Sequence, residues 1–89
     1  MEPEVAFGVV LRQLRQQRKL SQESLALEAG LQRNYISLLE RGENSASVRT
    51  IFKLAPVLGV SAGDFMARVD EIIAGEGSRT RARTRKARS

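Results

Sequence analysis

The side chains equipped for chemistry concentrate in the run RNYISLLER, from Arg33 to Arg41. Wound as a helix, this run turns Ile36 and Leu39 inward and leaves Arg33, Asn34, Ser37, Leu38 and Arg41 outside. Guanidinium, amide and hydroxyl groups presented together make a surface suited to base edges and phosphates. The chain has no histidine and no cysteine, which removes imidazole acid–base chemistry, thiol nucleophiles, disulfides and the usual zinc clusters. No nucleophile–base pair or metal-ligand cluster can be assembled from the remaining residues, so the sequence argues against an enzyme and calls for no cofactor.

The elements that position this run lie directly around it. Ser21 is a good N-cap for a helix that starts near Gln22, with Glu23 close to its positive end. That helix must stop at Gly30, where a residue past the helix end often takes positive φ. A second short helix then starts near Gln32. Leu25, Ala29, Ile36 and Leu39 face inward, and Ala26, with only a methyl group, lets the two helices cross closely. Upstream, Glu2, Pro3 and Glu4 suit a helix entrance, and Phe7, Val10, Leu11 and Leu14 repeat at helical spacing. Arg12, Arg15, Arg18 and Lys19 read as a solvated helix end, except that Arg15 lies beside the apolar face, four residues after Leu11. Downstream, Ser47 caps a fourth helix with an expected inner face of Val48, Ile51, Leu54, Ala55 and Leu58. Pro56 is expected to kink it. Gly59 with Val60 closes that helix, and Ser61 with Asp64 opens a fifth that carries Phe65, Met66, Val69, Ile72 and Ile73.

Charge is distributed unevenly. Residues 79–89 hold six cations and no acid, and subtracting them from the total of +5 leaves residues 1–78 at −1. Affinity for a polyanion within the helical part must therefore come from the placement of charge, whereas the tail suits any polyanion. The expected organisation is one domain over residues 1–75 and a basic flexible tail over residues 76–89. The tail reads either as a solubilising end or as an arm that follows phosphates. Eighty-nine residues are near the size at which a single core becomes marginal, which favours dimerisation. No apolar run reaches membrane-spanning length and the N-terminus lacks a signal-peptide pattern, so a cytoplasmic protein without a membrane partner is expected.

The stretch from Ser21 to Gly42 resembles the helix-turn-helix of the phage-repressor and Cro-like DNA-binding regulators. The matching residues are Ser21-Gln22, Leu25-Ala26, Ala29-Gly30, Tyr35-Ile36-Ser37 and Glu40-Arg41-Gly42, with Leu11, Arg12, Leu14 and Arg15 before them and Leu54-Ala55 and Leu58 to Ser61 after. The resemblance spans roughly Phe7 to Met66 and implies an all-α, five-helix, lambda-repressor-like domain. It also implies a partly buried pair between Arg15 and Glu40. Gln22 is either an ordinary first-turn residue or, as in the family, a contact to a DNA phosphate at a helix N-terminus.

The implied function is a sequence-specific transcriptional regulator, a homodimer on an inverted repeat, with the third helix of each subunit in the major groove of double-stranded DNA. Arg33 and Asn34 are the leading base readers, since Arg matches guanine O6 and N7 and Asn matches adenine N6 and N7. Ser37 and Leu38 follow; Leu38 meets either a thymine methyl or the next loop. Gln22, Arg12, Tyr35, Arg41, Asn44, Ser45 and Arg49 are expected on the DNA backbone, where they set register. Met66, Val69, Ile72 and Ile73 form an apolar stripe beyond the closed part of the resembled fold, and they are expected at the dimer interface. RNYISLLER is similar to the version in restriction–modification controller proteins, and no ligand-sensing domain fits in the chain. The competing reading is an antitoxin or protein-interaction module on the same fold, with DNA binding secondary.

Overall fold

Serines open three of the helices. In the computed structural model, which describes residues 1–76, the chain forms α1 (Pro3–Gln17), α2 (Gln22–Ala29), α3 (Arg33–Glu40), α4 (Val48–Leu58) and α5 (Ala62–Glu76), with no strand among the described residues. Ser21, Ser47 and Ser61 accept hydrogen bonds from the amides of Ser24, Thr50 and Asp64 at 2.9, 3.1 and 2.9 Å. Each satisfies an amide that a helix start leaves without a partner. Pro3 stands at the beginning of α1, where its missing N–H costs nothing.

The helix ends share a device as well. Gly30 is left-handed at φ +72°, and the amide of Leu31 returns to the carbonyl of Ala26 at 2.8 Å. The end of α1 closes in the same pattern, Leu20 N–H to Arg15 C=O at 3.1 Å, but the left-handed residue there is Lys19, at φ +59°. A lysine tolerates that conformation less well than glycine. At the end of α4, Val60 N–H bonds the Ala55 carbonyl. Pro56 lies exposed in the last turn, and α4 continues through it as one helix.

All five helices contribute to one core. It joins Ala6, Phe7, Val10, Leu11 and Leu14 of α1 with Leu25, Ala26 and Ala29 of α2, Ile36 and Leu39 of α3, Leu54 and Leu58 of α4, and Phe65 and Val69 of α5. The rings of Phe7 and Phe65 stack tilted, with centroids 4.7 Å apart, within the favourable range for aromatic pairs. α1 packs on both α3 and α5, whereas α2 packs on α3 and α4. The crossing of α1 over α3 depends on Gly8: a Cβ there would lie 2.5 Å from the Leu39 carbonyl oxygen and 2.6 Å from that of Glu40.

Two apolar residues lie elsewhere than expected. Val69 is only 3% exposed and belongs to the core of the single chain. It stands four residues after Phe65 on α5, which packs on α1, so the single chain already buries it. Val48 is 70% exposed. The buried side of the first turn of α4 is taken by Thr50, while Val48 shares the outward side with Phe52, itself 65% exposed. No described helix is long and apolar enough to cross a membrane by itself.

Candidate nucleic-acid interface

α3 owes its orientation to a polar cluster at its C-terminal end. The Arg15 guanidinium straddles the Glu40 carboxylate, with Nε donating to Oε2 and Nη2 to Oε1, the latter at 3.0 Å. Its Nη1 donates to the carbonyl of Leu20 at 2.8 Å. Gln22 Nε2 adds a third donor to Glu40, reaching Oε1 at 3.0 Å. The side chains of Arg15 and Glu40 are 12% and 4% exposed. Geometry of this fork type is the strongest that a guanidinium and a carboxylate can adopt. One carboxylate thereby ties the end of α3 to α1 and to the first residue of α2. Among the described residues, every buried side-chain nitrogen and oxygen has a hydrogen-bond partner.

With its back held, α3 exposes Arg33 and Asn34, its C-cap Arg41 is exposed beside them, and Ser37 and Leu38 are half-buried. These five share one face. Arg41 folds back over its own helix, its Nε 3.4 Å from the Ser37 carbonyl and 3.7 Å from the Glu43 carboxylate. Both groups of that ion pair are more than half exposed, so it contributes little to stability. Its effect is local, in that Glu43 offsets part of the Arg41 charge on this face.

The flanking residues sort into engaged and free. Gln22 is half-buried with its amide on Glu40. Tyr35 is half-buried, and its hydroxyl lies 3.2 Å from Thr50 Oγ1. Ser45 donates to Glu4 Oε2 at 3.4 Å, toward α1, and its amide bonds Asn44 Oδ1 at 3.2 Å. Arg12 on α1 and Arg49 in the first turn of α4 are exposed. On α5, which packs on α1 and α4, Met66 remains 40% exposed, and Ile72 and Ile73 are half-buried against the core edge. The basic residues of the tail from Arg79 onward lie outside the described residues.

Thr50 and Gly8 escaped the sequence reading, although both carried a signal. Thr50 stands four residues before Leu54 and eight before Leu58, on the buried stripe of α4. Gly8 stands seven residues before Arg15, on the side of α1 that meets α3. Among the described residues no group of three or more acidic side chains could hold a metal.

Comparison with known proteins agrees with this geometry. The control protein C.BamHI of Bacillus amyloliquefaciens is 43% identical over 61 residues, which cover 67% of this chain and 75% of that protein. The crystal structure of the restriction–modification controller protein C.AhdI from Aeromonas hydrophila superposes with a TM-score of 0.68 at 42% identity, over 70% of this chain and 94% of that one. The clp gene regulator ClgR from Corynebacterium glutamicum gives a TM-score of 0.81 at 25% identity, over 99% and 89%. A helix-turn-helix family model matches residues 11–65, more than half of the sequence. From the locked α2–α3 pair, the exposed polar face of α3 and these matches together, the chain belongs to the helix-turn-helix family of DNA-binding transcriptional regulators, which are not enzymes.

Proposed function

We propose that the protein is a sequence-specific regulator of the controller type, which binds an inverted repeat as a homodimer with α3 of each subunit in the major groove. The observation that carries this reading is the outward face of α3, whose base-reading side chains are free while Glu40 fixes the helix from behind. Arg33 and Asn34 occupy the first turn, the end of a recognition helix that reaches base edges. A bidentate Arg33–guanine contact and an Asn34–adenine contact are the primary readout, with Ser37 and Leu38 secondary. Arg12, Gln22, Tyr35, Arg41, Asn44, Ser45 and Arg49 contact phosphates from neighbouring elements and set the register. The subunits meet through the residual apolar surface of α5, formed by Met66, Ile72 and Ile73, with Val69 supporting it from inside. The similarity to two controller proteins at more than 40% identity supports this type over other members of the family.

Selection of bound sequences from random DNA, followed by a mobility shift on the DNA upstream of the gene, tests the reading. A palindromic consensus bound by the wild type is the expected result. Arg33→Ala should lose discrimination at one base position per half-site, worth about 1–3 kcal/mol. Failure to enrich any sequence would overturn the proposal.

A further inference from the structure

Three hydroxyls connect α4 to α3. Ser47 Oγ accepts the Thr50 amide at 3.1 Å and lies 3.1 Å from Thr50 Oγ1 as its donor. Thr50 Oγ1 in turn lies 3.2 Å from the Tyr35 hydroxyl. Thr50 is a buried polar residue, 6% exposed, on a stripe otherwise filled by Leu54 and Leu58. Valine has nearly the same shape and would satisfy that stripe without a hydroxyl to accommodate, so the Thr50 oxygen calls for a reason.

Counting donors and acceptors supplies one. A hydroxyl has a single proton and two lone pairs. Thr50 Oγ1 accepts the Ser47 proton and still carries one of its own, and Tyr35 Oη, 3.2 Å away, is placed to accept it. In that arrangement the phenolic oxygen is the acceptor on its buried side, and the Tyr35 proton is left for the outer side, at the flank of α3. A chain of hydroxyls oriented in one direction is polarised along its length, and an anion at the far end strengthens every member.

We infer that Thr50, backed by Ser47, is a positioning residue for DNA binding: it fixes the Tyr35 hydroxyl as a donor to a backbone phosphate. The inference deepens the proposed function and rests on it. Thr50 itself touches no DNA. Its contribution is to settle which way the Tyr35 proton points, and because the recipient is a phosphate, the effect is independent of base sequence.

A double-mutant cycle on DNA affinity tests this with the full-length protein, the selected operator and a random duplex. Tyr35→Phe should weaken both duplexes by a similar factor, about ten- to a hundredfold for a hydrogen bond to a charged group. Thr50→Val should weaken them less, about two- to fivefold. In the Tyr35→Phe background, Thr50→Val should have no further effect, since no phenolic proton remains to be directed. Thr50→Ser, which keeps the hydroxyl, should bind like the wild type; Thr50→Ala replaces the valine variant if valine impairs folding, as judged by circular dichroism. Additive losses in the double mutant would show Thr50 acting through packing alone, and an unchanged affinity of Tyr35→Phe would remove the hydroxyl from the interface. Either result overturns the inference while operator binding by the wild type leaves the proposed function standing. A wild type that binds neither duplex overturns both.

Discussion

Glu40→Ala removes the acceptor on which three donors converge. Two come from the Arg15 guanidinium and one from the Gln22 amide. With Arg15 and Glu40 at 12% and 4% exposure, little water is available to replace the carboxylate. Arg15 keeps its bond to the Leu20 carbonyl, so the guanidinium is not wholly abandoned. Removal of one member of a buried pair typically costs about 3–5 kcal/mol because the other is left without its counter-charge. Small domains have total stabilities of about 5–15 kcal/mol, so this single change consumes a large share. At about 4–8 °C per kcal/mol for a domain of this size, the melting temperature should fall by at least about 12 °C. Urea denaturation followed by circular dichroism measures the loss. The double variant Arg15→Met with Glu40→Leu separates charge burial from packing: it should be more stable than Glu40→Ala, since no unpaired charge is buried. A loss below about 1 kcal/mol in Glu40→Ala, the range of an exposed pair, would refute the reasoning.

Gly8→Ala should destabilise by about 1–3 kcal/mol in a thermal melt, although alanine is the better helix former, because the new methyl meets the carbonyls of Leu39 and Glu40; a gain in stability would mean that α1 does not cross α3 so closely. Met66→Asp should yield folded monomers by sedimentation, whereas Val69→Asp should fail to fold, since it buries a carboxylate in the core. If Met66→Asp remains dimeric, the subunits meet elsewhere. Truncation after Ser78 removes six cations, and each phosphate they neutralise contributes about 0.9 to the slope of log affinity against log salt. Equal slopes for the two lengths would show that the tail makes no phosphate contact.

Local signals made most of the fold legible. The serine caps, the left-handed Gly30 and the inward stripe of α1 each follow from a few neighbouring residues, and the structure has all of them. What depends on how far one helix extends over another was not legible. The periodicity of α5 puts Val69 on an apolar face, but only the length of α1 beneath it decides that this part of the face is covered. Val48 fails in the opposite direction, because the first turn of α4 gives its buried side to Thr50. Arg15 and Glu40 are 25 residues apart, and spacing alone does not join them; the family resemblance did. A hydroxyl such as that of Thr50 looks like a surface residue in sequence until a partner from another helix is brought against it.

The placement of Glu40 at the far end of α3 has a consequence for which residues of the helix can change without unfolding it. An eight-residue helix rises about 10 Å from its first residue to its last, so Arg33 and Asn34 lie about that distance from the Arg15–Glu40–Gln22 cluster and from the Gly8 crossing. Effects of substitutions separated by 7–10 Å with no shared partner usually add independently. The end proposed to contact bases and the end that anchors can therefore vary separately: residues 33 and 34, both exposed, are open to exchange with little effect on folding. Substitutions at residues 33 and 34 can thus alter the proposed base contacts while the Glu40 cluster and the Gly8 crossing keep α3 in place.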